Sequence, residues 1–237
     1  MKEILKNEEM LKHQFWKDTT PLGHLAQDYM KTLIAGDRHE AGRLILDAVE
    51  KGAAVRDIYL RVFQPAQLEV GRLWQANIIS VAQEHFCTYV TQMVMSQMYP
   101  MIFSSKKNGK KLVATSVAGE LHEIGIRMVA DFFEMEGWDT YYLGASSPQE
   151  SIVETVVERG ADLLAVSATI TFNLEAAMSL VRRVRADEAC KSVKILVGGR
   201  LFNVAPDLWL QVGADGYAAD AQQAIEVANR WLAEREI

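Results

Sequence analysis

The residues with the clearest chemical reach are Glu120, His122 and Gly125, in the stretch Val113-Ala-Thr-Ser-Val-Ala-Gly-Glu-Leu-His-Glu-Ile-Gly-Ile126. A histidine can ligate a metal through one ring nitrogen while a carboxylate two residues earlier holds the other. Gly125 would let a bulky group approach the backbone. A zinc-protease H-E-x-x-H reading of His122-Glu123 is excluded, because the fifth position is Ile126. By itself E-x-H-x-x-G fits a solvated loop histidine as well as a ligand. Two later stretches add to it: Ser167-Ala-Thr169 and Gly198-Gly199, each small or hydroxyl-bearing and each ending an apolar run. Three such ends could build one groove.

A second constellation is Trp74, Glu84 and His85. An aromatic face can stack on a nucleoside, and a carboxylate can accept hydrogen bonds from ribose hydroxyls. From composition alone the same three residues also read as a packed tryptophan at a helix hairpin with two solvated charges. Met93, Met95, Met98 and Met101 fit core packing better than a ligand box.

These residues need elements to position them. Residues 22–35, 37–51, 56–75 and 80–99 read as four helices. Gly36 stops the first, Asp37 caps the second, Pro65 kinks the third, and Ser80-Val-Ala-Gln83 has the form of a capping box opening the fourth. Short connections make them a bundle. Trp74 falls in the last turn of the third helix, and Glu84 and His85 near the start of the fourth, so all three sit at one bundle end. Residues 1–18 read as a terminal arm or short helix with Ile4, Leu11 and Phe15 on one side. The polar stretch 103–109 reads as a linker. Beyond it, strands near 111–117, 139–143, 162–169, 194–198 and 216–218 alternate with helices near 123–136, 148–159, 173–186, 205–212 and 220–234. Strict alternation predicts a parallel sheet in the flavodoxin-like order 2-1-3-4-5. Its switch point falls between strands one and three, where His122, Ser167 and Thr169 lie. The expected organisation is therefore an extension (1–21), a four-helix bundle (22–102), a linker (103–109) and a Rossmann-like α/β domain (110–237).

The order E-x-H-x-x-G, S-x-T and G-G, with 41 residues between Gly125 and Ser167 and 28 between Thr169 and Gly198, resembles the cobalamin-binding domain of corrinoid proteins. The resemblance implies that His122 is the lower cobalt ligand and Glu120 its orienting partner. It implies that Gly119, Leu121, Ile124 and Gly125 flank the cofactor, and that Ser167, Thr169, Gly198 and Gly199 line a slot for its nucleotide tail. Glu120 stands where the family more often has Asp, and Thr169 where it has Leu. The W-x9-E-H spacing, within Ile-Ser-Val-Ala-Gln-Glu-His-Phe, resembles adenosylcobalamin photoreceptors of the CarH type. It implies that Trp74, Glu84 and His85 form an adenosyl pocket in a bundle that caps the upper corrin face. Gln75 follows Trp74 where those photoreceptors have a histidine, and the roughly 21 residues before the bundle are too few for their DNA-binding domain.

The functional expectation is a cobalamin-dependent light sensor using adenosylcobalamin, signalling through a protein partner or a change of homo-oligomer. The alternative is the corrinoid shuttle of a methyltransferase system, and methylcobalamin or hydroxocobalamin remain alternative cofactor forms. In neither reading is the chain an enzyme by itself. A formal net charge of −6 argues against a general nucleic-acid surface, so no direct DNA binding is expected. No apolar run approaches the ~20 residues needed to span a bilayer. The first residues lack the apolar core of a secretory leader, and Cys87 and Cys190 have no metal or redox spacing. A cytoplasmic location is the matching expectation.

Overall fold

The computed structural model describes residues 12–103, 105–205 and 207–233. The chain divides into two compact units, Met1–Met101 and Ile102–Ile237.

The first unit is helical. Helix α1 is Pro21–Ala35, opened by Thr20, whose hydroxyl accepts from the Gly23 N–H, and closed by left-handed Gly36. Asp37 caps α2, Arg38–Glu50, through the Glu40 N–H. Helix α3 runs without interruption from Val55–Ile58 through a π-helical Tyr59–Phe63 into Gln64–Gln75. The Gln64 N–H bonds back to Tyr59, five residues earlier, directly before Pro65. The widened turn accommodates a residue that cannot donate. Helix α4, Val81–Gln97, begins with the full capping box: Ser80 accepts from the Gln83 N–H at 3.2 Å and Gln83 accepts from the Ser80 N–H at 3.0 Å. A short α5, Tyr99–Ile102, follows. Tyr29, Tyr59, Phe63, Leu73, Val90 and Val94 fill the core. Met95 and Met98 are fully buried with them, whereas Met101 is exposed.

Ahead of α1, a 3-10 turn at Gln14–Lys17 packs on this unit. Its Trp16 indole donates to Glu69 of α3 at 2.9 Å, and His13 Nδ1 lies 2.9 Å from the same carboxylate, which also receives both arms of Arg72 at 2.7 Å. Phe15 of the expected terminal arm lies in this turn; Ile4 and Leu11 fall outside the described residues.

The second unit alternates strand and helix. Strands β1 (Lys111–Ser116), β2 (Asp139–Gly144), β3 (Leu163–Ser167), β4 (Lys194–Gly198) and β5 (Gly216–Tyr217) form one parallel sheet in the order β2-β1-β3-β4-β5. Helix α6 (Ile124–Met135) packs on β1 and β2 and against the last helix, α11 (Ala221–Ala233). Helices α7 (Gln149–Arg159) and α8 (Leu174–Ala186) bury Ile152, Val153, Val156, Leu180, Val181 and Val184 in one cluster with Val113, Leu164, Val166, Ile195 and Val197 of the strands. Cover on both faces explains the near-continuous apolar strands. Among the described residues no helix is long and apolar enough to cross a membrane.

Two details depart from the sequence reading. Strand β3 ends at Ser167, so Thr169 belongs to the following loop. The helix expected over 205–212 is the shorter α10 (Leu208–Val212), and an unexpected short helix, α9 (Arg200–Val204), precedes it. The chain turns as soon as β4 ends because Gly199 adopts φ +96°, which drops Leu201 and Phe202 straight into the core.

That turn has no room for a side chain: a Cβ on Gly199 would lie 2.4 Å from the Ala168 carbonyl oxygen and 2.9 Å from Ser167 Oγ. Gly199→Ala should therefore destabilise the protein by about 2 kcal/mol or more, from backbone strain and overpacking together. Gly36→Ala, at φ +74° with nothing within 4 Å, should lose only about 1 kcal/mol. Equal losses for the two in denaturant unfolding would refute the steric account.

Candidate functional site

The site grows from the end of β1. The ladder continues one residue past the strand, where the Val117 N–H bonds to Ser167 O at 3.1 Å. The chain then turns at Gly119, φ +82°. This turn sends the Glu120 side chain inward, and the residue is 1% exposed.

A buried carboxylate must be satisfied on both oxygens. Oε1 accepts from the His122 N–H at 3.0 Å and faces His122 Nδ1 at 2.5 Å. Oε2 accepts from the Thr169 N–H at 2.7 Å and from Asn173 Nδ2 at 2.9 Å. Burial pushes the Glu120 carboxyl up, but the bonds from the His122 ring, the His122 and Thr169 backbone and Asn173 outweigh it and bring it down to about 2. Nδ1 faces the carboxylate, so Nε2 is the ring nitrogen turned away from it. The His122 side chain is about half exposed, at 54%.

The β2–α7 loop clasps the same turn. Ser146, held at φ +51°, accepts from the Gly119 N–H at 3.0 Å and donates its own N–H to Glu120 O at 3.1 Å. Leu121 is exposed and Ile124 half-buried beside it. Gly125, in the first turn of α6, has nothing within 4 Å of where a Cβ would stand. The remaining glycines have internal reasons: a Cβ on Gly198 would meet Ala218 O at 2.9 Å, and Gly199 lies against Ser167 and Ala168. Ser167 and Gly198 are register partners at the ends of β3 and β4.

The fold thus joins Gly119, Glu120, His122 and Thr169 by direct or one-step hydrogen bonds and sets Ser167, Gly198 and Gly199 side by side. Sequence reasoning missed Asn173 and Ser146. Asn173 had a signal: an asparagine at the start of a helix is ordinarily its cap, yet here it is 3% exposed and its side chain makes no capping bond. Ser146 had only the turn-rich context Gly144-Ala-Ser-Ser-Pro148.

The other constellation lies in the helical unit. Trp74, in the last turn of α3, is 41% exposed. Glu84 accepts from the Thr88 hydroxyl at 2.9 Å and lies 3.6 Å from His85 Nε2, with the His85 side chain largely exposed. Among the described residues, no group of three or more His, Cys, Asp or Glu side chains is arranged to hold a bare metal ion.

Two family models match the chain, both described as a B12 binding domain. One covers residues 110–226 and the other residues 25–99. The chain belongs to the B12-binding family. Its curated relatives include a corrinoid protein of Desulfitobacterium hafniense, 25% identical over 88% of this chain and 97% of the relative. They also include monomethylamine corrinoid protein 1 of Methanosarcina mazei, 27% identical over 83% of this chain and 92% of the relative. The solved monomethylamine corrinoid protein of Methanosarcina barkeri superposes with a TM-score of 0.76 at 24% identity, covering 85% of this chain and 95% of that one, a likeness of fold. Family membership brings cobalamin as the cofactor, as the three-part motif implied. The relatives carry corrinoid and methylamine corrinoid names, whereas the sequence reading leaned first towards photoreceptors, so the comparisons favour its alternative.

The depressed Glu120 carboxyl has a defined consequence for folding. Its folded-state value lies below the ordinary 4.5, so its bonds stabilise the fold fully above the ordinary value and are lost as pH falls from about 4.5 towards 2. The contribution amounts to up to roughly 3 kcal/mol. Glu120→Gln should flatten that part of the stability–pH curve of the cofactor-free protein. A curve between pH 5 and 2 unchanged by the substitution would contradict the assignment.

Proposed function

We propose that this chain is a corrinoid carrier, holding cobalamin so that a methyl group on cobalt passes between two partner proteins. The observation that carries the reading is the pairing of buried Glu120 with half-exposed His122 at the sheet's switch point, in a chain that aligns with a corrinoid protein and a monomethylamine corrinoid protein along nearly their whole length. When bound, cobalamin supplies the cobalt centre that bears the methyl group.

The protein's own residues hold and orient it. His122 Nε2 is the lower ligand, with Nδ1–H directed at Glu120. A carboxylate behind a ligating imidazole fixes its tautomer and raises its basicity. The open space at Gly125 suits close approach of the macrocycle, with Gly119, Leu121 and Ile124 flanking it. Ser167, Thr169, Gly198 and Gly199 form the wall for the nucleotide tail. A lone histidine fits a metal that brings its own macrocycle, as in haem proteins. The partners are methyltransferases, and oligomer formation and DNA binding are not needed.

One observation favours a second reading, an adenosylcobalamin light sensor: Trp74 is exposed at the same bundle end as Glu84 and His85. In that reading the three receive the adenosyl group, the indole stacking on it.

Binding measurements with the full chain separate the two. A carrier should take methylcobalamin at least as tightly as adenosylcobalamin, and green light should leave its gel-filtration profile unchanged. A preference of more than about tenfold for adenosylcobalamin, about 1.4 kcal/mol, with a light-driven change in elution, would overturn the carrier reading in favour of the sensor. In either case His122→Ala should abolish the imidazole-nitrogen splitting in the cob(II)alamin EPR spectrum. Splitting that persists would remove His122 as the ligand.

A further inference from the structure

We infer that Thr88 is a two-position hydrogen-bond switch in the helical unit. It gives its single hydroxyl proton either to Glu84 or to Gln67, so that the charge on Glu84 is passed into the packing of α1, α3 and α4. The inference concerns the helical unit alone and goes beyond the choice between carrier and sensor.

Five side chains form an unbroken polar chain across three helices. On α4, the Thr88 hydroxyl oxygen lies 2.9 Å from Glu84 Oε1 and 3.3 Å from Gln67 Oε1 of α3. Gln67 Nε2 donates to Thr91 Oγ1 at 2.7 Å. The Tyr29 hydroxyl of α1 lies 2.9 Å from the same threonine oxygen. Tyr29 and Thr91 are fully buried, whereas the Glu84 side chain is 22% exposed. The chain thus runs from a carboxylate that meets solvent to a tyrosine in the core.

All of its bonds but one have a forced direction. Thr91 donates its only hydroxyl proton to the Cys87 carbonyl, 3.0 Å away and one turn back. Its oxygen is left to accept from both Gln67 and Tyr29. Burial pushes the Tyr29 hydroxyl up, which keeps it a donor. With its N–H end committed to Thr91, Gln67 turns its carbonyl end to Thr88. Thr88 therefore faces two acceptors with one proton. A charged Glu84 takes it, because that bond is the shorter and hydrogen bonds to an ionised group are roughly twice as strong as neutral ones. Gln67 Oε1 then faces a hydroxyl oxygen whose proton points elsewhere. When Glu84 is neutralised the preference is lost. The proton turns to Gln67, and an unbroken set of bonds ties α4 to α3 and α1.

Glu84 is open to such an event. Among the described residues, the nearest donor to its Oε2 is His85 Nε2 at 3.6 Å, too far for a hydrogen bond. The titratable groups that face it there are on its own helix, His85 and Cys87. Burial, and then the charge of Glu84, push the Cys87 thiol up to about 12, so it stays neutral. From α3, neutral Gln67 meets it through Thr88. A proton on the carboxylate, or a donor group settling on Oε2, is the neutralising input.

The test removes the charge and reads the far side of the switch by NMR in the cofactor-free full chain. Glu84→Ala leaves Gln67 as the acceptor for Thr88. The Gln67 side-chain amide signals should shift, and its amide protons should exchange with water about fivefold more slowly, the effect of one net hydrogen bond. The Tyr29 ring signals should shift with them. Thr88→Val removes the switching proton, so adding Glu84→Ala to it should leave the Gln67 signals where Thr88→Val had put them. Thr88→Ser keeps the proton and should restore the response to Glu84→Ala; Thr88→Ala takes the place of the valine variant if that one does not fold. Gln67 signals and exchange unmoved by Glu84→Ala would overturn the switch. A response equally large without the Thr88 hydroxyl would overturn it too, because the charge would then act through space. A loss of thermal stability in Thr88→Val, with the response to Glu84→Ala intact, would make Thr88 a packing residue only.

Discussion

A carboxylate withdrawn from water has to find donors for both oxygens, and the second unit is arranged around meeting that requirement for Glu120. Its four bonds come from the turn after β1, the loop after β3 and the N-cap residue of α8, and the β2–α7 loop clasps the same turn through Ser146. Remove the carboxylate and these segments lose their shared anchor. These bonds are all internal to the protein, and they hold the imidazole ring against Glu120. Holding a ligating group in place in this way reduces the ordering that binding would otherwise require.

Strand ends are where such a device can be built. Interior strand residues spend their backbone groups on the ladder and their side chains on the core, as the burial of β3 from Leu163 to Ser167 illustrates. Just past the ladder, the Thr169 N–H has no strand partner and is available to a carboxylate. The order β2-β1-β3-β4-β5 brings the ends of β1 and β3 together at the point where helices diverge to opposite faces. Sheet topology and the bonding needs of one side chain thus select the same place.

Much of this was legible in the sequence, for identifiable reasons. Continuous apolar runs separated by amphipathic ones require a parallel sheet with two covered faces, and the helix signals at Gly36, Asp37 and Ser80 each correspond to a cap that forms. Glu120 and His122 could be paired because they are two residues apart. Asn173 could not, because its partner is 53 residues away and its position on a helix start has a commoner explanation. The early turn into α9 was hidden for a similar reason: Gly199 was read for what it would admit from outside, whereas its conformation answers to Ala168 and Ser167 inside. The π turn ahead of Pro65 shows how the helix passes a residue that cannot donate, by widening the turn before it.

The helical unit has a buried carboxylate of its own, and it bears on where that unit begins. Glu69 is closed off by Arg72 from its own helix and by Trp16 and His13 from the segment ahead of α1. Gln27 of α1 adds two bonds to that segment, at Phe15 O and Asp18 O. Shortening the chain to the start of α1 would strip two of the three partners from a charge that is shielded from solvent, leaving a guanidinium alone to compensate it. The short stretch from His13 to Asp18 is therefore better regarded as the lid of a small polar box than as a tail, and the integrity of the four helices extends to residues that belong to none of them.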